Sequence, residues 1–311
     1  MINRKSYGIA LLVVAGLLAG QVSAETPVYS DKKGEYLDLL HKGRPVIRYM
    51  YANDKSTKER DHETYKAYHH VFAPDRKTFI TKGAGGKFTH HRGMYLGWAK
   101  LGHGGKRYDH WHMKGVRMVH QKFEKIEGDD KKSTMVAILH WNDPKGNPIL
   151  VEKRTFTVHF TDKDAYLLAD FKSELTAVNG EVELNGDPEH AGVQFRPHND
   201  VVGNKSAKYT FYRDGITTGN VKKEKDMHWV AMTYKLGDAK YTVQQLRHPS
   251  NPGNSVHSAY RDYGRFGNYF VTKIADGKTL TLNYRYRITT GDAPSRDELH
   301  KHYKMYLSKK G

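Results

Sequence analysis

Two short segments concentrate groups able to do acid–base, metal or anion chemistry. Phe88–Trp98 reads FTHHRGMYLGW, so His90, His91 and Arg92 adjoin ahead of Gly93. Ten residues later YDHWHMKG sets Asp109, His110, Trp111 and His112 in succession. Nine of the 19 histidines fall between His62 and His120, so the enrichment is regional. Imidazole titrates near neutrality and serves as acid or base. It also suits Zn, Cu, Fe and Ni, and guanidinium grips a carboxylate bidentately. The density reads as a metal site, as a site for an anionic or sugar ligand, or as a polar surface rich in histidine.

Spacing constrains these readings. On a strand His110 and His112 share a face, whereas His90 and His91 point to opposite faces. A loop, which Gly85, Gly86 and Gly93 permit, relaxes that limit and lets His91, His112 and a third histidine such as His248 converge on a divalent metal. No ligand spacing here has the specificity of HExxH, and the metal is left unspecified. A sugar pocket uses the same residues differently. Trp98, Trp111 and Trp229 offer aromatic platforms, while Arg92, Arg196, Arg261, Asn251 and His248 offer hydrogen bonds. The arginines favour an acidic sugar. Asp109 or Glu152 could orient a catalytic histidine, but Glu152 beside Lys153 and Arg154 reads better as half of an inter-strand ion pair. GxSxG is absent, there is no cysteine, and KGAGGKF lacks the P-loop pattern.

The elements that must position these groups are strands. Period-two runs recur between turn signals from Ser133 onward: STMVAILHWN, the turn DPKGNP, then ILVEKRTFTVHF, a hairpin. In the latter run Leu150, Phe156, Val158 and Phe160 share one face. Further short strands follow to LTLNYRYRITTG, and APSRDELHKHYKMYL predicts a C-terminal helix with Leu299, Tyr303 and Tyr306 on one side. EYLDLLHKG suggests a short helical turn. The chain reads as an all-β, large single-domain β-sandwich over residues 25–311. Residues 1–24, with Arg4 and Lys5 before the apolar run Ile9–Leu18 and with Val22-Ser23-Ala24, read as a Sec-type signal peptide cleaved after Ala24, hence a periplasmic or secreted protein. No later segment is apolar enough to span a bilayer. The net charge of +17 draws anions, but acids are interspersed and no basic stripe marks a nucleic-acid reader.

The order HHRG, DHWH, WN, VEKR, GVQFRPHND, HWVAMTY, LRHPSNP, YRDYGRFGNYF and LNYRYRITTG resembles a large bacterial family of unknown function carried under the name methane oxygenase PmoA (PmoA-like). The resemblance runs from about Arg44 to Tyr306. The methane label does not follow, because the membrane subunit of that name is a bundle of spanning helices. The resemblance implies a supersandwich similar to the galactose mutarotases and a place beside sugar catabolism. Asp109, Trp111, His112, Glu152, Arg154, Arg196, Trp229, His248, Pro249, Asn251, Arg261 and Gly264 match its pattern. Gly97-Trp98 departs from a Gly-His pair, with His103 near enough to substitute, and a Trp is missing before YRDYG. The expectation is a carbohydrate-linked enzyme of epimerase, lyase or hydrolase type. His91 or His112 acts with Asp109, and His90, Arg92, Trp111, Arg196, His248, Asn251, Arg261 and Tyr263 bind a small-molecule or glycan ligand. The alternative is a non-catalytic glycan- or metal-binding protein.

Overall fold

The computed structural model describes residues 27–160, 162 and 164–308; the signal peptide read at 1–24 lies outside them. Alternating apolar residues build two eight-stranded sheets and one four-stranded sheet, every pairing antiparallel. The front sheet runs Tyr29–Lys32, Tyr36–His41, Arg44–Met50, Tyr68–Val71, Met94–Trp98, Ala191–Phe195, Phe266–Tyr269, Val256–His257. The back sheet runs Lys208–Phe211, Trp229–Leu236, Ala239–Arg247, Thr279–Thr290, Leu167–Ala177, Pro148–His159, Lys132–Asn142, Arg117–Gly128. The small sheet holds Thr272–Ile274, Val182–Asn185, Lys100–His103 and Lys106–Tyr108.

One core joins the two large sheets: Met94, Leu96 and Trp98 from the front meet Phe156, Phe171 and Tyr286 from the back. Polar ties cross the same layer, with Gln245 Nε2 donating to the Val193 carbonyl at 3.3 Å and Tyr284 Oη to Asn268 Oδ1 at 2.8 Å. The all-β sandwich with its C-terminal helix is therefore what the chain forms. That helix, Arg296–Ser308, starts on a capping box in which Ser295 and Glu298 exchange hydrogen bonds. It lays Leu299 and Tyr303 on Trp229 and Leu246.

Two expectations need correction. EYLDLLHKG is not a helical turn: Tyr36–His41 is a strand paired on both sides, and Lys42 and Gly43 at positive φ make the hairpin turn. Glu152 and Arg154 do form an ion pair, at 2.8 Å, but within one strand rather than between two. Two residues apart, they share the inner face. Both are wholly buried, and the Trp141 indole and Ser173 hydroxyl complete the carboxylate shell at 2.9 Å each.

Because Arg154 has no water to turn to, Glu152→Gln is expected to cost about 3–5 kcal/mol, measured by denaturant unfolding. The fold also depends on neutral imidazoles. Burial lowers His70 and His257 to about 3 and His110 to about 4, against an ordinary 6.5. Between those values and 6.5 the unfolded chain binds protons that the folded chain refuses. Stability is therefore complete above about pH 6.5 and falls as pH drops, each residue adding a slope approaching ~1.4 kcal/mol per pH unit. Unfolding curves at pH 7.5, 6 and 5 should show this decline; a flat profile would contradict it.

Candidate anion site on the front sheet

The site forms on the outer face of the front sheet, because side chains alternate along its strands. While Met94, Leu96 and Trp98 enter the core, Tyr95 points the other way and joins Tyr68 and Trp111 in a separate small cluster. Lys66 precedes the strand Tyr68–Val71, and Arg196 follows the strand Ala191–Phe195. Arg265 precedes the strand Phe266–Tyr269. Two loops roof this face. The turn carrying Asp109–Met113 lies over Gly97, where an added Cβ would stand 2.4 Å from the His110 carbonyl oxygen. Only glycine tolerates that approach. The HHRG loop is tied down by Arg92, whose guanidinium donates to the carbonyls of Thr89, His91 and His62 at 2.5, 2.8 and 2.6 Å.

Four imidazoles gather there. The ring centroid of His90 lies 4.5 Å from that of His91 and 4.5 Å from that of His112, and His112 and His190 are 5.2 Å apart. Two of them are set by the same local device. Asp109 accepts from the backbone of Trp111 and His112 at 3.1 and 2.8 Å and holds His112 Nδ1 at 2.8 Å. Asp187 accepts from the backbone of Glu189 and His190 at 2.8 and 3.1 Å and holds His190 Nδ1 at 3.0 Å. Each Asp-x-x-His turn thereby fixes an imidazole through its Nδ1 and leaves its Nε2 without a protein partner among the described residues.

Cations surround these rings. Lys66 is 1% exposed and donates to the Trp111 carbonyl at 2.6 Å, with its Nζ 4.4 Å from the Tyr95 ring centre. Arg196, 2% exposed, anchors Nη1 on Gln194 at 2.7 Å. Arg265, also 2% exposed, anchors Nη1 on Glu189, which further accepts from Tyr260 at 2.7 Å and Arg261 at 3.1 Å. Both guanidiniums leave Nε and Nη2 buried without a partner among the described residues, as do the Tyr95 hydroxyl, the Trp111 indole nitrogen and His90 Nε2. The Nε–Nη2 edge is the side of arginine that pairs with two oxygens of one carboxylate.

The electrostatics follow from this crowding. Burial, then the neighbouring His112, Lys66 and Arg196, lowers His90 to about 3. Burial and Arg196 drive His91 lower still. Burial pushes Lys66 well below its ordinary value, helped by Arg92, and lowers Arg196 to about 10. The hydrogen bonds from Arg265 and Tyr260 outweigh burial and hold Glu189 far below the usual carboxylate range. At neutral pH the site sets the neutral imidazoles of His90 and His91 among fixed donors, with the Arg196 guanidinium behind them.

The residues singled out by sequence divide accordingly. His90, His91, Asp109, Trp111, His112 and Arg196 come together, with Tyr263 reaching the loop through Phe88, ring centres 5.0 Å apart, and Arg261 through Glu189. Arg92 is part of the scaffold, its Nη groups consumed by carbonyls. His110 departs from His112 because the segment is a turn, not a strand; its ring stacks in the core on Trp141 at 5.5 Å. His91 and His112 are not joined by His248, which lies on the back sheet's side beside Tyr306 and Ser250. Asn251 exchanges two hydrogen bonds with the backbone of Asn283 and is structural. Trp98 and Trp229 are core residues. His103 does not substitute for the missing histidine; it bonds the Glu181 carbonyl in the small sheet, and the extra imidazole is His190. Sequence reasoning missed Lys66, Tyr95, His190, Glu189 and Arg265. For His190 the signal existed, since DPEH repeats the D-x-x-H of DHWH. No cluster of three His, Asp or Glu able to hold a metal occurs among the described residues, and the cations at this site oppose one there.

A model of the family of unknown function DUF6807 matches residues 36–304. The chain belongs to that family. Its description states no activity, and the PmoA name has no counterpart in it. No curated protein sequence matches the chain significantly. Among solved structures, a mutant of heparan sulfate lyase HepC from Pedobacter heparinus aligns with 88% of this chain at 9% identity and a TM-score of 0.43. A protein proposed to be a kojibiose phosphorylase, from the human microbiome, aligns with 78% at 9% identity and a TM-score of 0.34. This chain spans 38% and 26% of their respective lengths. At these scores the likenesses carry no functional information.

Unpartnered buried donors predict stabilisation by anions. Citrate or a uronate is expected to raise the melting temperature more than chloride at equal ionic strength. Arg196→Gln should abolish most of the difference, and equal melting in all three salts would refute the assignment.

Proposed function

We propose that this is a secreted, carbohydrate-linked enzyme that binds an acidic sugar through its carboxylate. The observation that carries the reading is the pair of buried guanidinium edges, on Arg196 and Arg265, with the Trp111 and Tyr95 donors beside them. A buried donor without a partner costs about 1–3 kcal/mol, more when charged, and a carboxylate is the group that fills two such edges. Tyr263, half-buried at the edge of the site, supplies aromatic surface for the sugar ring.

The chemistry that suits this array is proton abstraction next to the carboxylate. Guanidiniums around that carboxylate stabilise the charge that develops on its oxygens when the neighbouring C–H is broken. His112 accepts the proton on Nε2, its Nδ1–H held by Asp109, and Asp109 stabilises the imidazolium that results. The electron pair of the C–H bond moves into the carboxylate. It then returns in one of two ways: to a proton delivered on the opposite face, an epimerisation, or into a new C=C bond as the β-oxygen leaves with a proton, an elimination. For the elimination the His112 imidazolium returns its proton to the departing oxygen. For the epimerisation His190, its Nδ1 on Asp187 and its ring centre 5.2 Å from that of His112, enters as the imidazolium and gives up its Nε2 proton.

A proton NMR assay with a panel of neutral and acidic sugars tests this. Uronates should show exchange, inversion or a new vinyl signal. His112→Ala should lose about 10²–10⁴-fold in turnover while its dissociation constant stays within a few-fold. Arg196→Lys should weaken binding instead, because a lysine offers no bidentate edge. Binding that persists with no turnover under any condition would make the protein a glycan-binding module. Equal response to neutral sugars would remove the carboxylate from the reading.

A further inference from the structure

The RHPSN motif takes no part in the front-sheet site, yet it borders a cleft of about 550 Å3 on the opposite side of the molecule. The floor of the cleft is the outer face of the back sheet, and the strand register lines up its polar rows. Thr157, Asp170 and Arg285 are direct cross-strand neighbours, as are Thr155, Lys172 and Asn283. The alternate residues Phe156, Phe171 and Tyr284 fill the core behind them. One wall is the last turn of the C-terminal helix, with Tyr306 and the 41% exposed Leu307, and His248 reaches in from its loop.

Among the described residues the lining carries two cations, Lys172 and Arg285, against one carboxylate. Asp170 is the cleft's one carboxylate among the described residues, and two groups already engage it: Arg285 bidentately at 2.5 and 2.7 Å and His159 Nε2 at 2.8 Å. Arg285 is in turn packed on the Tyr306 ring at 4.7 Å. Lys172 leans on Glu174, outside the cleft, at 3.0 Å, and His248 has Nδ1 on Ser250. What the cleft offers is an ammonium, a guanidinium, two imidazoles, two threonine side chains and an aromatic ring. Its size falls within the roughly 300–1,000 Å3 of small-ligand sites.

We infer that this cleft is a second binding site, for a segment of anionic oligosaccharide. Charge complementarity selects an anion. An extended peptide is disfavoured, because the three floor strands are each hydrogen-bonded to neighbours on both sides and present no edge for strand addition. A flat row of hydroxyl, imidazole and guanidinium groups flanked by one ring matches the alternating hydroxyls and carboxylates of an acidic glycan. The inference does not rest on the reading of the front-sheet site.

Calorimetric titration of the Arg196→Gln protein, in which the front-sheet site is disabled, isolates the cleft. Tetragalacturonate is expected to bind, more weakly as salt rises, and maltotetraose to bind at least tenfold less tightly. Adding Lys172→Glu or Tyr306→Ala should each weaken tetragalacturonate by about tenfold, equivalent to ~1.4 kcal/mol. Circular dichroism monitors the helix in Tyr306→Ala; if that variant unfolds, Lys172→Glu, on the exposed face of a central strand, decides alone. Absence of tetragalacturonate binding, unchanged affinity in Lys172→Glu, or equally tight binding of a tetraglutamate peptide would each overturn the assignment.

Discussion

The structure turns on the burial of positive charge against one face of a β-sheet. Lys66, Arg92, Arg196 and Arg265 are each at most 2% exposed on the outer side of the front sheet. Removing a cation from water is costly unless it is paired and hydrogen-bonded. Arg265 partly meets that requirement with Glu189, while Arg92 is hydrogen-bonded to three neutral carbonyls and has no ion pair among the described residues. Arg196 and Lys66 likewise have only neutral carbonyl or amide oxygens as partners. The fold can carry this burden because the sandwich behind it is continuous. Its interior is closed by aromatic and aliphatic side chains from both large sheets and by an ion pair whose hydrogen bonds are complete.

The same burden organises the loops. Arg92 fixes the HHRG loop to the end of the helix Lys58–Thr64 through the His62 carbonyl. The close approach of His110 to Gly97 seats the DHWH turn on the sheet. Those two restraints set His90 against His112 without any direct bond between them. Positions that bear no chemistry thereby decide where the chemistry sits. His90 and His91, buried among cations, stay neutral, so lone pairs and fixed donors share one space, which is what acid–base work on an anion requires.

Much of this was visible in local patterns. Alternation of apolar residues marked the strands of the back sheet, and the capping residues and apolar stripe marked the C-terminal helix. HHRG and DHWH marked half of the candidate site. EYLDLLHKG reads ambiguously because Leu37 and Leu39 alternate about Asp38 but Leu40 follows Leu39 directly, at a bulge in the pairing, and so short an apolar run does not separate a buried strand from a helical turn. His248 and Asn251 were misplaced for a different reason. Their residue types suit a site, but residue type does not say on which side of a sandwich a loop emerges.

The sequence by itself determined the class of architecture, the local turns and the supply of His and Arg, because periodicity, capping and Asp-x-x-His geometry act over a few residues. Tertiary structure alone decided which of these groups meet. Lys66, His190 and Arg265 enter the site from strands or loops far apart in the chain, and strand parity chooses the outer face for Tyr95 and Arg196. The separation of His110 from His112 was equally beyond the sequence, since it depends on a turn held by contact with Gly97. Parity is local, but which parity faces the core is settled only when the two sheets close.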